Sequence, residues 1–298
     1  MANDSLSERV YQWTDAILLY PYRLSFVFQN PEEFKISTLR GVWGRALKTL
    51  DEGVYSKIFE GSGSQQLATP RYLLRPGNLL ASPNEPRVEI EFIVWGASGN
   101  DLDIITRAWH IATQCGLGKE RRTFALESSE YLYLPVPESG LSLSRIVRAL
   151  ETLGKPRSAR FVTPVRLLEL KRLIEEPTFE TFIQRTIARL SVIRLQSLDR
   201  FEQTADKGRP AELRPDFYPE LLELAKNYKA SKWSGEKIAY QRYSGRQRAE
   251  VEMRGATGGW KLPEDLGDLR PLVEAATVLG IGKGTALGLG RLKLERER

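Results

Sequence analysis

The chain has 298 residues, 41% of them apolar, with 44 Lys and Arg against 38 Asp and Glu, a formal net charge of +6 and a pI near 9.3. That length holds two cores, and the basic balance suits an anionic partner without requiring one. The single cysteine, Cys115, excludes an internal disulfide framework and is expected to fill core in a reducing cytoplasm. No basic segment leading into an apolar run opens the chain, and no stretch reaches the roughly 18 apolar residues of a membrane span. A soluble, cytoplasmic protein with no membrane partner is expected.

In chain order, "YRLSFVF" at 22–28 alternates as a strand, Leu24, Phe26 and Phe28 on one face and Arg23, Ser25 and Val27 on the other. "STLRGVWGRALKTL" follows as a helix capped by Ser37 or Thr38, with Leu39, Val42, Trp43, Ala46, Leu47 and Leu50 as its apolar stripe. Gly41 and Gly44 weaken it and imply close backbone approach. "RVEIEFIVW" at 87–95 is the clearest strand. A helix over about 101–114 ends at Gly116, its buried side Leu102, Ile105, Ala108, Trp109 and Ala112, and "RRTFALE" begins another strand. Strand, helix, strand, strand, helix, strand is the order of a ferredoxin-like unit.

The second half repeats that outline. "ARFVTPVRLL" reads as a strand, and "YQRYSGRQRAEVEMRGATGGWKLP" as a hairpin whose sharp turn holds Gly255, Gly258 and Gly259. "LRPLVEAATVLGIG" is a helix and "GRLKLE" a last strand. The expected fold is therefore α+β: two tandem ferredoxin-like domains, 1–135 and 136–298, with a helical insertion at about 165–230 in the second. Within it, Phe179, Phe182, Ile183, Ile187, Leu190, Ile193 and Leu198 recur at helical spacing, and Arg185, Arg189 and Arg200 lie opposite, facing phosphate or merely solvent.

The loop 280–290, "GIGKGTALGLG", has the wrong spacing for a phosphate-binding P-loop, because Gly284 precedes Thr285 directly and no helix follows. The dinucleotide spacing fails too, since its third glycine would fall at Thr285 or Lys293. Glycines with exposed amides can form an anion nest, to which Lys283 and Arg291 add charge. A turn serving only chain reversal is the alternative. The chain offers no Cys/His metal-ligand set and no cofactor motif.

Two segments, "AWHIATQCGLGKERRTFAL" and "AATVLGIGKGTALGLGRLKL", share a pattern of helix, Gly-x-Gly-Lys and basic strand. With "LRGVWGRAL" and "WSGEKIAYQRYSGRQRAEVEMRGATGGW", their order resembles the RAMP superfamily of CRISPR-associated proteins, and within it the precursor-RNA-processing endoribonucleases. The resemblance implies metal-independent cleavage of CRISPR repeat RNA by an adjacent 2′-hydroxyl, with the product kept as guide for effector-complex subunits. It implies RNA contacts from Gly280, Gly282, Lys283, Gly284, Thr285, Gly288, Gly290, Arg291 and Lys293 in the loop and last strand. Tyr243, Ser244, Arg246 and Arg248 on the hairpin, and Arg185 and Arg189 on the helix, complete that set.

The family commonly uses a histidine near its first helix, whereas the only histidine here, His110, lies elsewhere, on the expected polar face of the second helix. Arg23, Arg242 and, more weakly, Arg40 are the catalytic candidates. Arginine cannot readily take a proton from a hydroxyl, but its planar fork stabilises charge on a reacting phosphate. An arginine-dependent enzyme of this kind fits the less common CRISPR types, such as type IV. The missing histidine favours instead a non-catalytic subunit that binds guide RNA, whereas the hairpin "RYSGRQR" with the full glycine loop favours the processing enzyme.

Overall fold

The computed structural model describes residues 4–28, 35–61, 69–77, 87–118, 120–132, 140–170, 172–198, 214–244 and 249–297; at 240–244 and 249–251 the backbone alone is considered. The first lobe is built from β1 (Leu18–Phe28), α2 (Ile36–Leu50), β2 (Tyr72–Pro76), β3 (Arg87–Trp95), α3 (Gly99–Cys115) and β4 (Phe124–Tyr131). Its antiparallel sheet has the order β2-β3-β1-β4. The second lobe uses β6 (Pro156–Val165), α5 (Phe179–Ser197), β9 (Ser234–Ser244), β10 (Ala249–Lys261), α7 (Arg270–Leu279) and β11 (Leu292–Arg296). Its sheet order, β11-β6-β10-β9, is the same topology repeated. Two ferredoxin-like units therefore stand in tandem.

The segment 165–230 carries more helix than one crossover needs: α5 fills the place of the unit's first helix, and α6 (Tyr218–Asn227) is additional. A small hairpin of β7 (Leu168–Glu169) and β8 (Arg172–Leu173) precedes α5. The expected apolar stripe of α5 is buried from Phe179 to Ile193, with Thr178 capping its first turn.

In the first lobe, Tyr22, Leu24, Phe26 and Phe28 of β1 face α2 and α3 across one apolar cluster. Trp43 of α2 stacks on Trp109 of α3 at 5.1 Å and meets Phe92 edge-on, joining both helices to the sheet. All five residues expected on the buried side of α3 are buried. Helix α2 begins at Ile36, so Lys35 is its N-cap and neither Ser37 nor Thr38 caps it. Only Gly44 meets the expectation of close approach: a Cβ there would lie 2.3 Å from the Phe59 ring, whereas Gly41 faces open space.

Other expectations fail for local reasons. Cys115 is exposed, because it ends α3 off the apolar stripe. Gly255, Gly258 and Gly259 lie inside β10, not in a turn; the ladder to β6 shifts register between Ala256 and Gly258. Strands β9 and β10 instead meet across 245–248, outside the described residues.

An N-terminal helix, α1 (Leu6–Asp15), was not evident from periodicity. Its Val10, Tyr11 and Trp13 join α4 (Leu143–Glu151) and α7 in the second core, although the chain then enters the first sheet. Leu19, Leu73, Ile93 and Trp95, on the face of the first sheet away from α2 and α3, complete the same cluster. The helices of the second lobe thus pack on the first sheet, and both ends of the chain tie the lobes together. Among the described residues no helix is long and apolar enough to cross a membrane.

Candidate functional site

The glycine loop lies where the two lobes meet. Glu274 of α7 is fully buried and grips Arg296 of β11 through both carboxylate oxygens, at 2.8 and 2.6 Å, which fixes the two elements that flank the loop. Between them the chain reverses with Gly280, Gly282, Gly284, Gly288 and Gly290 all at positive φ. Two of these show why no other residue fits. A Cβ on Gly290 (φ 71°) would fall 1.9 Å from the Ile281 carbonyl, and one on Gly288 (φ 84°) 2.9 Å from Ile36 of α2. Ala286 is buried in the first lobe's core.

Most of the loop's amides are used internally. Ile281 donates to Gly290 and Lys283 to Arg166; Leu287 and Leu289 donate to Gly284, Gly288 to Thr285, and Gly290 to Pro164. The amides of Gly282, Gly284, Thr285 and Ala286 stand outside these bonds. As an anion nest the loop is thus narrower than its five glycines suggest, and much of its glycine content serves close packing between lobes.

The arginines around it divide by what they touch. Arg291 is only 9% exposed, and its guanidinium donates to the carbonyls of Pro76 and Gly77 and to Glu91. Glu91 also holds Arg75, whose Nη1 donates to the Thr277 carbonyl of α7 at 2.7 Å. The Arg75–Glu91–Arg291 cluster pins the second lobe to the first sheet, and burial pushes the Arg291 pKa down. Arg189 is similarly engaged. It donates to the Leu279 carbonyl and, at 2.9 Å, to the Thr285 hydroxyl, and lies over the Trp95 ring. Burial pushes its pKa down to about 10, which leaves it cationic at neutral pH. These two arginines, expected on RNA, are spent on holding the loop; a sequence cannot show which arginines face inward.

Lys283 and Lys293 are exposed, the latter on β11 opposite exposed Arg160 of β6. Like charges directly across a ladder repel and favour an anion between them. Arg185 is partly buried, and its Nε has no hydrogen-bond partner. Arg246 and Arg248 lie outside the described residues, as does Arg200; Arg242, Tyr243 and Ser244 are placed only as the last residues of β9, an edge strand, pairing with Val251, Glu250 and Ala249.

Of the catalytic candidates, Arg23 is exposed and lies in the row Arg75, Glu91, Arg23, Glu130 that crosses the first sheet. It therefore neighbours the pin between lobes, and among the described residues it forms no ion pair. Arg40 is elsewhere. Its Nε donates to the Tyr72 hydroxyl at 2.6 Å and its guanidinium covers the Phe59 ring at 4.1 Å. Tyr72 belongs to the cluster on the α2 side of the sheet, and burial pushes its pKa up to about 12. Arg40 and Arg23 thus lie on opposite faces, and the structure does not bring them together. His110 is exposed on α3, on the far side of Trp109 from the sheet.

No group of three or more His, Cys, Asp or Glu able to hold a metal ion occurs among the described residues. Residues 159–292 match the family model described as CRISPR-associated endoribonuclease Cas6. No curated protein matches the chain. Among solved structures, a Cas6 product complex superposes with a TM-score of 0.54 at 14% identity, over 93% of this chain and 99% of that one. Thermus thermophilus Cas6 gives 0.51 at 13%, over 94% and 99%. A partial Cas6-RT-Cas1–Cas2 complex gives 0.52 at 13%, over 94% of this chain and 46% of that one. The likeness in fold runs through both lobes, and the family match covers residues 159–292, most of the second lobe.

Proposed function

We propose that the protein cleaves CRISPR repeat RNA without a metal ion and retains the product as guide RNA for effector-complex subunits. The family match over 159–292 carries this reading, because it spans the glycine loop and most of the second lobe. Solved relatives of the same fold include a Cas6 product complex and a Cas6-RT-Cas1–Cas2 assembly, which supports RNA and protein partners for this chain as well.

In the reaction, the 2′-oxygen beside the scissile phosphate attacks phosphorus in line as the bond to the 5′-oxygen breaks. The products are a 2′,3′-cyclic phosphate and a 5′-hydroxyl, with one proton lost from the nucleophile and one gained by the leaving oxygen. Arg23, exposed beside the lobe junction, and Arg242, near the end of β9, are the side chains proposed to stabilise the charge gathering on the phosphate. Lys283, Lys293 and the hairpin arginines hold the backbone.

The exposed position of the only histidine, His110, supports a second reading, a subunit that binds guide RNA without cutting it. A cognate repeat with a single 2′-deoxy sugar at the cut separates the two. The enzyme cuts the all-ribose repeat and leaves the 2′-deoxy repeat intact while binding both; binding both without cutting either establishes the non-catalytic subunit.

A further inference from the structure

Cleavage by a 2′-oxygen releases a proton, and neither Arg23 nor Arg242 can take it, because a guanidinium stays protonated up to about pH 12. His110 is on α3, behind the core that backs the first sheet. That leaves the carboxylates on the sheet face that carries Arg23. Glu91 is shared by Arg75 and Arg291, and Glu127 is tied to Arg87 at 2.6 Å. Glu130 lies directly opposite Arg23, exposed on the edge strand β4.

Glu89 of β3 differs from all of these. It is partly buried, and among the described residues its carboxylate has no ion pair and no hydrogen bond. Its neighbours across the sheet are small: Gly77 just past β2, Ser25 of β1 and, beyond it, Ser128 of β4. A Cβ on Gly77 would lie 2.9 Å from the Glu89 Cβ, so glycine leaves the side chain room, and Arg291 holds the Gly77 carbonyl at 2.7 Å. The charged groups around Glu89 are Arg87 and Glu91 of its own strand, Arg75 of β2, Arg23 of β1, Glu127 and Glu130 of β4, and Arg291. Arg75, Arg87 and Arg291 are paired within that set, whereas Arg23 forms no ion pair among the described residues. The ladder sets Arg23 opposite Glu91 and Ser25 opposite Glu89, so Arg23 and Glu89 are diagonal neighbours on one face.

We infer that Glu89 is the general base of the cleavage. One carboxylate oxygen takes the proton of the 2′-hydroxyl as that oxygen bonds to phosphorus; the bond to the 5′-oxygen breaks, and water protonates the departing oxygen. This rests on the RNA-cleavage reading, with Arg23 on the scissile phosphate. Diagonal cross-strand positions lie about 7–8 Å apart, within reach of long side chains. The guanidinium and the carboxylate can therefore meet a phosphate and its adjoining 2′-oxygen, each within hydrogen-bond distance.

Glu89→Gln keeps the shape and removes the base. With protein saturating, single-turnover cleavage of a cognate repeat should fall about 10²- to 10⁴-fold, with the thermal midpoint unchanged because the carboxylate has no partner to lose. In wild type the logarithm of the rate should rise by about one per pH unit in acid and level off once the base is ionised. Glu89→Gln should lack that limb, Glu89→Asp should keep it at a reduced rate, and Glu130→Gln should keep both limb and rate. A Glu89→Gln rate within about threefold of wild type, or a slower enzyme whose acid limb survives, overturns the assignment. Loss of rate and limb in Glu130→Gln in place of Glu89→Gln overturns it in favour of the exposed carboxylate. Equal cutting by wild type and Glu89→Gln leaves the processing reading standing and removes only the base; a wild type that cuts no cognate repeat removes both.

Discussion

Arg291, at the head of the last strand, donates to Glu91 of β3 at 3.1 Å, so that a residue next to the glycine loop is neutralised by the opposite lobe. Glu91 is the shared anion of two arginines, and all three side chains are 10–16% exposed. Removing it leaves two cations facing each other with little water. Glu91→Ala is expected to cost about 3–5 kcal/mol, the range for breaking one side of a buried ion pair. Chemical denaturation would measure the loss, and a cost below about 1 kcal/mol would mean that the cluster does not join the lobes.

The split between inward and outward cations predicts the salt dependence of RNA binding. Each phosphate contact on a single strand contributes about 0.7 to the slope of log affinity against log salt. Replacing exposed Lys283 and Lys293 together should therefore lower the slope by about 1.4. Arg189→Ala should reduce thermal stability, because the Leu279 carbonyl and Thr285 hydroxyl lose their donor, with the slope unchanged. A slope that fell with Arg189 and not with the two lysines would reverse this assignment.

Glu151 supplies a pH dependence of stability. It accepts a hydrogen bond from the Tyr11 hydroxyl, joining α4 to α1, and burial raises its pKa above the ordinary 4.5. A carboxyl with a raised folded pKa holds its proton more tightly when folded. Its contribution is thus complete below the unfolded value and is lost as pH rises through the folded one. Urea midpoints should decline as pH climbs above about 4.5 in the wild type, and Glu151→Gln should remove that component. Parallel profiles for the two proteins would refute the linkage.

The four crossover helices and the strands β1 and β3 were legible because their signals are local, alternation in the strands and helical stripes in α2, α3, α5 and α7, whereas β2 was not read and the turn between β9 and β10 was misplaced. Helix α1 escaped, since its apolar face is completed by α4 and α7, far away in sequence. The site was legible only as a list of residue types. Glycines at 280–290 announced an unusual backbone, but whether they met a ligand or Ile36 and Arg166 depended on how the lobes dock. Arg189 and Arg291 look like any basic residues in the sequence; only the positions of Leu279, Pro76 and Glu91 turn them inward.

Cleavage of a cognate repeat should proceed in EDTA at the rate seen with Mg²⁺, since attack by a neighbouring hydroxyl needs no metal-bound water. Abolition by EDTA with recovery on adding Mg²⁺ would contradict the proposed chemistry.

The final prediction separates arginine from histidine catalysis. Arg23 is exposed in the row that contains the Arg75–Glu91–Arg291 pin, so its guanidinium is available beside the lobe junction, while His110 is exposed on α3, beyond the core that backs the sheet. Arg40 is engaged by Tyr72 and Phe59 on the other face. With protein saturating, so that weakened binding is excluded, single-turnover cleavage should fall on the order of 10²-fold for Arg23→Ala and for Arg242→Ala, the loss of one transition-state donor. His110→Ala should remain within a few-fold of wild type. Arg40→Ala should act chiefly on stability, through the buried Tyr72 hydroxyl it leaves without its donor. An inactive His110→Ala protein with RNA affinity intact would establish a histidine mechanism. Activity that survived in both Arg23→Ala and Arg242→Ala would remove the arginines from the chemistry and leave them as RNA contacts alone.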